Sequence, residues 1–501
     1  MTISSVSANI APLIQSALDI NKKLDDLQTQ LGSGQKSTTY AGLGSQSGIA
    51  VALSAQLAAI SSFDDTMTNA GTTISLQQLV LQQIASIGNT VQSSAGLPNY
   101  AIDGTGQTTV QKTAASQLDQ VLSLLNTQGG NGYLFSGSGL NQASVDTSDH
   151  ILNGNGAQAG LKQVIAERNQ ADLGADGLGR LVIPAAAGTA VSVSEDAAGS
   201  PYGLKLAAVN STLTGATVTG PTGSPAAISV DLGATNPSNG DSITYTFTLP
   251  DGTSQTLKLQ ATTSSPPGPN QFTIGATPAD TAANLQAALT AGVSQIGSTS
   301  LSAASAMAAS NDFFDDPPQR VSGSPATATA QVDGTPANTV IWYSGEDGSG
   351  SARSTATARI DPTTTVSYGT RANEQGIRWI VQNIATLAAT SYSSSDPNAA
   401  NSYAALNQRV YAALGVPAGV QNISDIETSL ANAQSAMKTT QSQHQQTANM
   451  LTNLQQSIEG IDTTTVGAQI LSLQTSLSAS LSATARLSSI NLLAYLSPVS
   501  G

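Results

Sequence analysis

The sequence predicts an α+β protein in which long helices from both termini form a coiled-coil core around a β-rich outer insert of one or two small lobes. Near the C-terminus, residues 466–496 carry a helical stripe of Leu and Ile with only one charge. A single helix cannot bury such a stripe by itself, so we expect the helices at the two ends of the chain to pair with each other. The alternative is that both are ordinary core helices. Near the N-terminus, seven apolar residues alternate in spacing by three and four, as in a coiled coil: Ile10, Leu13, Ala17, Ile20, Leu24, Leu27 and Leu31.

The insert is predicted at residues 140–370, where Gly, Ser, Thr, Pro and Ala dominate and short alternating segments replace the long stripes. Residues 243–249 alternate in polarity, Pro250-Asp251-Gly252 turns the chain, and residues 257–259 alternate back, which predicts a hairpin. The remaining predicted elements are a short helix and three strands: residues 281–289, 340–343, 355–360 and 365–368.

Helical stripes flank the insert on both sides and predict a rod. The longest runs from Ile423 to Ile458 in alternate steps of three and four, which indicates one unbroken helix. Three domains are therefore expected: 1–40 with 464–501 as an inner coiled-coil layer, 41–139 with 371–463 as the rod, and 140–370 as the insert. The shorter predicted helices of the rod are residues 49–60, 76–91, 107–126, 377–387 and 406–414.

Composition limits the classes of partner. The net charge of −14 and pI near 4.3 argue against nucleic acid and anionic membranes. Charged residues make up 10%, against roughly 25% in an average domain. Helix faces of Ser, Thr and Gln can be covered by a neighbour without desolvating charges, so the composition favours assembly. There is no cysteine, no signal-peptide pattern and no run of eighteen apolar residues, which alone would indicate a soluble cytoplasmic protein.

No catalytic constellation is evident. His150 lies in a loop and His444 at a core position of the long helix; with no triad or zinc partners in the pattern, both are interpreted as structural. Acidic turns at 171–177 and 345–348 contain oxygen ligands for calcium but match no calcium loop, and solvated turns explain them better. Carboxylates at 312–316 precede Pro317-Pro318 and suit a connection between lobes. We therefore expect no enzyme, no cofactor and no metal.

Two segments resemble the flagellin family of bacterial axial proteins. Residues 27–36, LQTQLGSGQK, resemble the LxxxLSSGxR/K segment that follows the first helix of that family. Residues 469–496 resemble its closing helix, LxxQxxLxASLxAxAxxxxxSLLxYL. The resemblance covers residues 1–135 and 371–501, and its C-terminal part is the more specific.

Within the family the sequence leaves two candidates open. Residues 131–137, NGYLFSG, resemble the NGxYxFSG segment of the hook–filament junction protein, hook-associated protein 3. A length of 501 residues with a large insert is typical of a filament subunit instead. Residues 40–47 depart from the usual DDAAG-type loop. The Arg and Glu that a mammalian innate receptor reads are absent from 81–91, so recognition by that receptor is not expected.

The resemblance implies a structural subunit for motility that self-assembles into a helical homopolymer. It also implies extracellular localisation in the flagellum, type III export without a cleaved signal peptide, and contacts with an export chaperone and other axial proteins. This replaces the cytoplasmic expectation. A secreted adhesin-like binding module is the alternative of another class. The residues expected to assemble the inner coiled coil are Ile10, Leu13, Ile20, Leu24, Leu27, Leu31, Ile470, Leu473, Leu477, Leu481, Leu487 and Leu492.

Overall fold

A computed structural model describes residues 4–97, 99–130, 132–415 and 419–496, apart from the side chains of 4–10, 487, 488 and 490–496. Helices and strands both occur, which confirms the α+β class. The helices are α1 (Ser4–Ser33), α2 (Ser47–Ala95), α3 (Thr109–Leu125), α4 (Ser148–Asn153), α5 (Leu161–Leu173), α6 (Pro278–Ile296), α7 (Ser302–Phe313), α8 (Gln375–Ala389), α9 (Ala399–Leu414), α10 (Ile423–Glu459) and α11 (Thr463–Leu496).

The strands are short, and most lie within the predicted insert. They are β1 (Gln128–Gly129), β2 (Gly132–Tyr133), β3 (Leu181–Val182), β4 (Ala190–Glu195), β5 (Lys205–Ser211), β6 (Thr217–Thr222), β7 (Ala227–Asp231), β8 (Ser242–Thr248), β9 (Ser254–Thr262), β10 (Gln271–Thr273), β11 (Gln319–Val321), β12 (Gln331–Asp333), β13 (Thr357–Arg359) and β14 (Thr365–Ser367).

The chain forms two compact units. The first comprises Met1–Asn69, Ala358–Val366 and Ser435–Gly501, and the second comprises Ala70–Thr357 and Ser367–Gln434. In the first unit α1 packs along α11. The N-terminal part of α2 packs on the C-terminal part of α10 through a small apolar cluster: Ala50, Leu53, Leu451 and Ile458.

The helix α2 corrects one expectation. Residues 49–60 and 76–91 are parts of one 49-residue helix, because the intervening segment has no proline and its single glycine, Gly71, does not break a helix. Among the described residues, the stretch Tyr40–Ala95 is long and apolar enough to cross a membrane. An 18-residue window within it has a mean hydropathy of 1.3, and 11% of that window is buried. Ser and Gln interrupt its apolar run but leave the mean high. Core helices of soluble proteins pass the same test, so this assigns no membrane role.

Helices of the second unit pack around α8, in which 12 of 15 residues are buried. It contacts α3, α7 and α9. The predicted helix at 377–387 is thus confirmed, as are those at 107–126 and 406–414. The start of α3 is fixed by a capping box, in which Thr108 and Gln111 satisfy each other's backbone N–H groups.

Two four-stranded sheets and α6 share one apolar core in the second unit. One sheet has the order β3-β4-β7-β6 and the other β10-β9-β8-β5. The predicted hairpin is β8–β9, which is antiparallel with Ser242 opposite Gln260 and Thr248 opposite Ser254. Inward side chains alternate along β8, where Ile243, Tyr245 and Phe247 are buried. The hairpin was predictable because its two faces differ in polarity.

Two helices in the predicted insert carry no continuous apolar stripe. On α5 the ion pair Arg168–Asp172 takes two of the six buried positions, so the apolar stripe is interrupted. Helix α7 is Ala- and Ser-rich and is buried on several sides by small residues, so no helical period shows. Residues 340–343, all described, form no strand, so this prediction is wrong. The segment is apolar because Trp342 is buried there, and its indole N–H donates to the carbonyl of Phe314 at 3.3 Å.

Candidate assembly surface

The face that joins α1 to α11 is only partly covered. On α1, Leu13, Ile20, Leu24 and Leu27 are half-buried, and no described side chain from 11 to 33 is fully buried. On α11, Ile470 is buried while Leu473 and Leu477 are half-buried. A pair of helices shields one side of each stripe and leaves the flanks in water, so most of the free energy of burying these stripes remains unrealised.

Two predicted members of this set lie away from the α1–α11 face. Leu31 is 43% exposed and Leu481 is 55% exposed. The half-buried positions after Leu477 are instead Ser480 and Thr484, which continue the steps of three and four with polar side chains. An apolar scan missed both for that reason. Of the other predicted assembly residues, Ile10, Leu487 and Leu492 lie outside the described side chains.

Exposed apolar side chains flank the pair. Ile14 and Leu18 are 49% and 57% exposed on α1, and Leu471 is 67% exposed on α11. A shallow cleft between the helices is lined mainly by polar and aliphatic groups: Lys23, Asp26, Leu27, Gln30, Gln469, Ser472 and Leu473. Exposed aliphatic side chains on two adjacent helices make this helix pair the candidate surface for contact with another protein chain.

The segment after α1 holds the junction between α10 and α11. Gln35 pairs with Gly460 as an isolated bridge, and the amide of Lys36 donates to the carbonyl of Glu459 at 2.7 Å. The Lys36 ammonium donates to the last carbonyls of α10, at 2.7 Å to Ile458 and 3.3 Å to Ser457. A cation at a helix C-terminus satisfies free carbonyls and complements the helix dipole. The LGSGQK segment therefore acts as a helix cap.

Helix α11 begins at a second cap. Asp462 Oδ1 accepts from the amides of Thr464 and Thr465, at 2.9 and 3.3 Å, which makes Asp462 the N-cap of α11. Its side-chain bond to Thr465, with those amide bonds, lowers the pKa of the Asp462 carboxyl. The turn between α10 and α11 is thus fixed on both sides.

The NGYLFSG segment lies where the chain enters and leaves the insert. Ser136 bridges Arg371, and the carbonyl of Phe135 accepts from the amide of Ala372 at 2.8 Å. Thr370 Oγ1 donates to the carbonyl of Leu134 at 2.6 Å and accepts from Gln77 at 2.9 Å. Both Phe135 and Ser136 are fully buried. Residues 134–136 of the motif are therefore structural and bind the chain at 370–372.

His444 has partners that the sequence pattern did not reveal. Its Nδ1 lies 2.9 Å from Asp64 Oδ1, and its Nε2 lies 3.8 Å from Asp361 Oδ2. Its ring packs against Phe63 at 6.1 Å between centroids. No Ser or Thr hydroxyl of the described chain hydrogen-bonds to it, so the group is not assembled as a nucleophile–base pair. The sequence pattern did not show these two carboxylates, because they come from distant segments.

A buried charge cluster ties α5 to α7. Arg168 donates to Asp172 at 3.0 Å and to Asp312 at 2.5 Å, and its guanidinium lies 5.0 Å from the ring centre of Tyr202. Burial raises the pKa of Asp312 to about 6, opposed by the Arg168 charge. Asp312 was expected in a connection; it lies instead at the end of α7 and joins two helices.

The remaining acidic turns are also used internally. Asp172 accepts from the amide of Gly203 at 2.9 Å, and Glu346 pairs with Arg371 at 2.7 Å. His150 pairs with Asp146 at 2.9 Å. Within the described ranges, no group of three or more His, Asp or Glu side chains is arranged to hold a metal ion.

Neither the models of known protein families nor the curated proteins match this chain. Its function is therefore argued from its own residues and geometry.

Proposed function

We propose that the chain is a structural subunit of a bacterial flagellar filament that polymerises through its terminal helices. In this proposal α1 and α11 form the coiled-coil inner layer, the neighbouring helices form a rod around it, and the insert faces solvent. The partners are further copies of the same chain, other axial proteins and an export chaperone, and the location is extracellular.

The observation that carries the proposal is the incomplete burial of the α1–α11 pair. Leu471 is 67% and Leu18 57% exposed, on helices that already face each other. Transfer of a large aliphatic side chain from water releases roughly 1.5–3 kcal/mol. Covering several of them in each subunit would supply a strong and repeated driving force for self-association.

The lack of charge on α11 supports the same proposal. Of the residues 463–496, only Arg486 is charged, and the exposed positions are Ser, Thr, Gln, Ala and Leu. Ser and Thr hydroxyls on this helix donate to backbone carbonyls one turn earlier, as Thr475 does to Leu471 at 2.9 Å. Such a surface can be enclosed by neighbouring chains without burying unpaired charges.

The position of the cap at Lys36 also fits a polymerising role. It fixes the point where α10 ends and α11 begins, through four backbone or side-chain bonds between 34–36 and 457–461. A defined turn at this point holds the α1–α11 pair ready to associate, which lowers the entropic cost of ordering on assembly.

Deleting one lobe of the chain, defined as residues 181–300, distinguishes this proposal from the alternative that the chain is a secreted adhesin. Residues 181–300 hold the two four-stranded sheets and α6, together with Tyr202 of the cluster around Arg168. The flanking chain is close, since Gly179 packs against the side chain of Leu301 and leaves no room for a side chain of its own. A short Gly-Ser linker can therefore join Arg180 to Leu301.

The variant without the lobe is expected to form fibres like those of the full chain, seen by electron microscopy. A folded variant that forms no fibres while the full chain forms them would contradict a polymer built by the termini. An adhesin would lose cell or matrix binding with the lobe and would form fibres in neither version.

The hook–filament junction is the second candidate, favoured by the NGYLFSG segment that binds the chain at 370–372. Immunogold labelling of intact flagella distinguishes the two. Labelling along the whole fibre identifies a filament subunit, whereas a single spot beside the hook identifies the junction protein.

A further inference from the structure

Three Asn–Gly pairs lie wholly within the described chain, and they differ in whether their side-chain amide and glycine N–H are hydrogen-bonded. They are Asn153–Gly154, Asn155–Gly156 and Asn239–Gly240. In such a pair the glycine amide nitrogen can reach the side-chain carbonyl carbon of the asparagine, because glycine has no Cβ to obstruct the approach. Whether it does so depends on whether both groups are free to move.

The Asn153–Gly154 pair is held at both ends. The Asn153 side chain donates to Asp149 at 2.6 Å and accepts from Lys162 at 2.8 Å. The amide of Gly154 donates to the carbonyl of His150 at 2.8 Å, which closes the last turn of α4. Attack by this amide would break bonds on both reacting groups.

The Asn239–Gly240 pair is held in a similar way. Asn239 Oδ1 accepts from the amide of Thr263 at 3.1 Å. The amide of Gly240 donates to the carbonyl of Ala261 at 2.9 Å. Both groups are therefore constrained by the start of β8 and the end of β9.

The Asn155–Gly156 pair is free. Asn155 and Gln158 exchange two backbone hydrogen bonds of 3.1 Å, which makes Gly156 and Ala157 the central residues of a tight turn. Gly156 has φ +63°, and Asn155, Gly156 and Ala157 are all exposed. Among the described residues, neither the Asn155 side chain nor the Gly156 amide has a hydrogen-bond partner. The amide at this turn position points into solvent.

We propose that Asn155 is a site of spontaneous deamidation through a cyclic imide. The Gly156 nitrogen attacks Asn155 Cγ, a new N–Cγ bond forms, and the Cγ–Nδ2 bond breaks. Ammonia leaves with the proton that the Gly156 nitrogen gives up. Water then opens the five-membered ring at either carbonyl, which yields aspartate or isoaspartate at position 155.

The reaction changes the insert locally. Either product adds a negative charge, and isoaspartate also lengthens the main chain by one carbon between 155 and 156. That insertion is incompatible with the paired bonds between Asn155 and Gln158. We expect the change to perturb the adjoining backbone contact as well. There, the Ala159 amide donates to Asn338 and its carbonyl accepts from Val340. The inference holds whether or not the chain polymerises.

The test follows deamidation by peptide mass spectrometry in the intact full-length protein at neutral pH and 37 °C. Asn155 is expected to deamidate at least about tenfold faster than Asn153 and Asn239, because each of those must first lose hydrogen bonds at both reacting groups. Equal or faster reaction at Asn153 or Asn239 in the folded protein would overturn the proposal. An enzyme that methylates isoaspartate identifies the second product.

Two controls keep the result specific to structure. In concentrated urea the three pairs should deamidate at similar rates, since only the fold distinguishes them. If the preference for Asn155 persisted unchanged in urea, the argument from free and bound groups would be wrong. The variant Asn155→Gln should abolish the fast phase, because a glutamine would have to close a six-membered ring, and a remaining fast phase would place the reaction elsewhere.

Discussion

The Lys36 ammonium lies 2.7 Å from the carbonyl oxygen of Ile458, where α10 ends. One side chain near the N-terminus thereby completes a helix that ends 423 residues later in sequence, at Glu459. The contact is one of four bonds that join the segment after α1 to the turn before α11. The cap can be tested by mutagenesis, because Lys36 makes two of these bonds through its side-chain ammonium group.

The variant Lys36→Met should lower the stability of the α10–α11 turn by about 1 kcal/mol, since it removes a cation from a helix C-terminus and leaves two carbonyls to water. Thermal unfolding and amide exchange at 459–466 measure this. Lys22→Met, an exposed lysine on α1, is the matched control and should change stability by less than about 0.5 kcal/mol. Equal effects of the two variants would show that Lys36 is not a cap.

The pair His444–Asp64 should show an energetic coupling of about 1 kcal/mol in a double-mutant cycle with alanine, because the histidine is nearly buried. Chemical denaturation of the two single variants and the double variant measures the coupling. The pair His150–Asp146 has the same 2.9 Å separation but is more exposed, so its coupling should stay below about 0.5 kcal/mol. A coupling at His444 no larger than at His150 would refute the argument from burial.

Asp312 should make stability depend on pH in an unusual direction. Burial raises the pKa of this carboxyl to about 6, from about 3.8 for an aspartate in an unfolded chain. The folded protein therefore binds the proton more tightly than the unfolded chain. The stabilising contribution of the protonated form is complete below pH 3.8 and is lost as pH rises through about 6.

Between pH 5 and pH 7.5 the wild-type chain should lose about 1 kcal/mol relative to Asp312→Asn, which cannot titrate. Melting temperatures at the two pH values measure this difference. The variant Asp315→Asn, at a carboxylate that is mostly exposed, is the control for the Asp-to-Asn substitution itself. A constant difference between wild type and Asp312→Asn at both pH values would mean that Asp312 does not titrate in this range.

Helix α1 should exchange its amide hydrogens faster than α8 in the monomer. None of its described side chains is fully buried, whereas α8 is buried on nearly every side. Local opening of such a helix costs little free energy. Hydrogen exchange followed by mass spectrometry should show α1 slowing on polymerisation while α8 changes little. Protection of α1 equal to that of α8 in the monomer would contradict the half-buried pair.

The sequence predicted those parts of the fold in which one face differs from the other. The stripes of α1 and α10 and the alternation of the β8–β9 hairpin identify these elements because each element turns one apolar face toward a neighbour. Helices α5 and α7 were missed since Arg168 and Asp172 occupy the core face of one, and alanines surround the other. A helix that is similar on all sides, or that has charged residues on its buried side, shows no hydrophobic period in its sequence.

The candidate surface was predicted only as far as its apolar residues. Leu473 and Leu477 lie on the α1–α11 face, but Leu481 does not, and Ser480 and Thr484 take the next positions. The partners of His444 come from segments 380 and 83 residues earlier in sequence, Asp64 and Asp361, so no local pattern could have revealed them. Both failures concern contacts that only the three-dimensional fold creates.

The most direct test of the central claim is the critical concentration for fibre formation in three proteins: wild type, Leu471→Asp and Leu471→Met. Leu471 is 67% exposed, so all three monomers should fold alike, with matching circular dichroism and melting temperatures. A charge there should raise the critical concentration about tenfold or more, whereas methionine should leave it near wild type. Fibres of normal appearance and unchanged critical concentration from a folded Leu471→Asp protein would contradict assembly through the terminal helices.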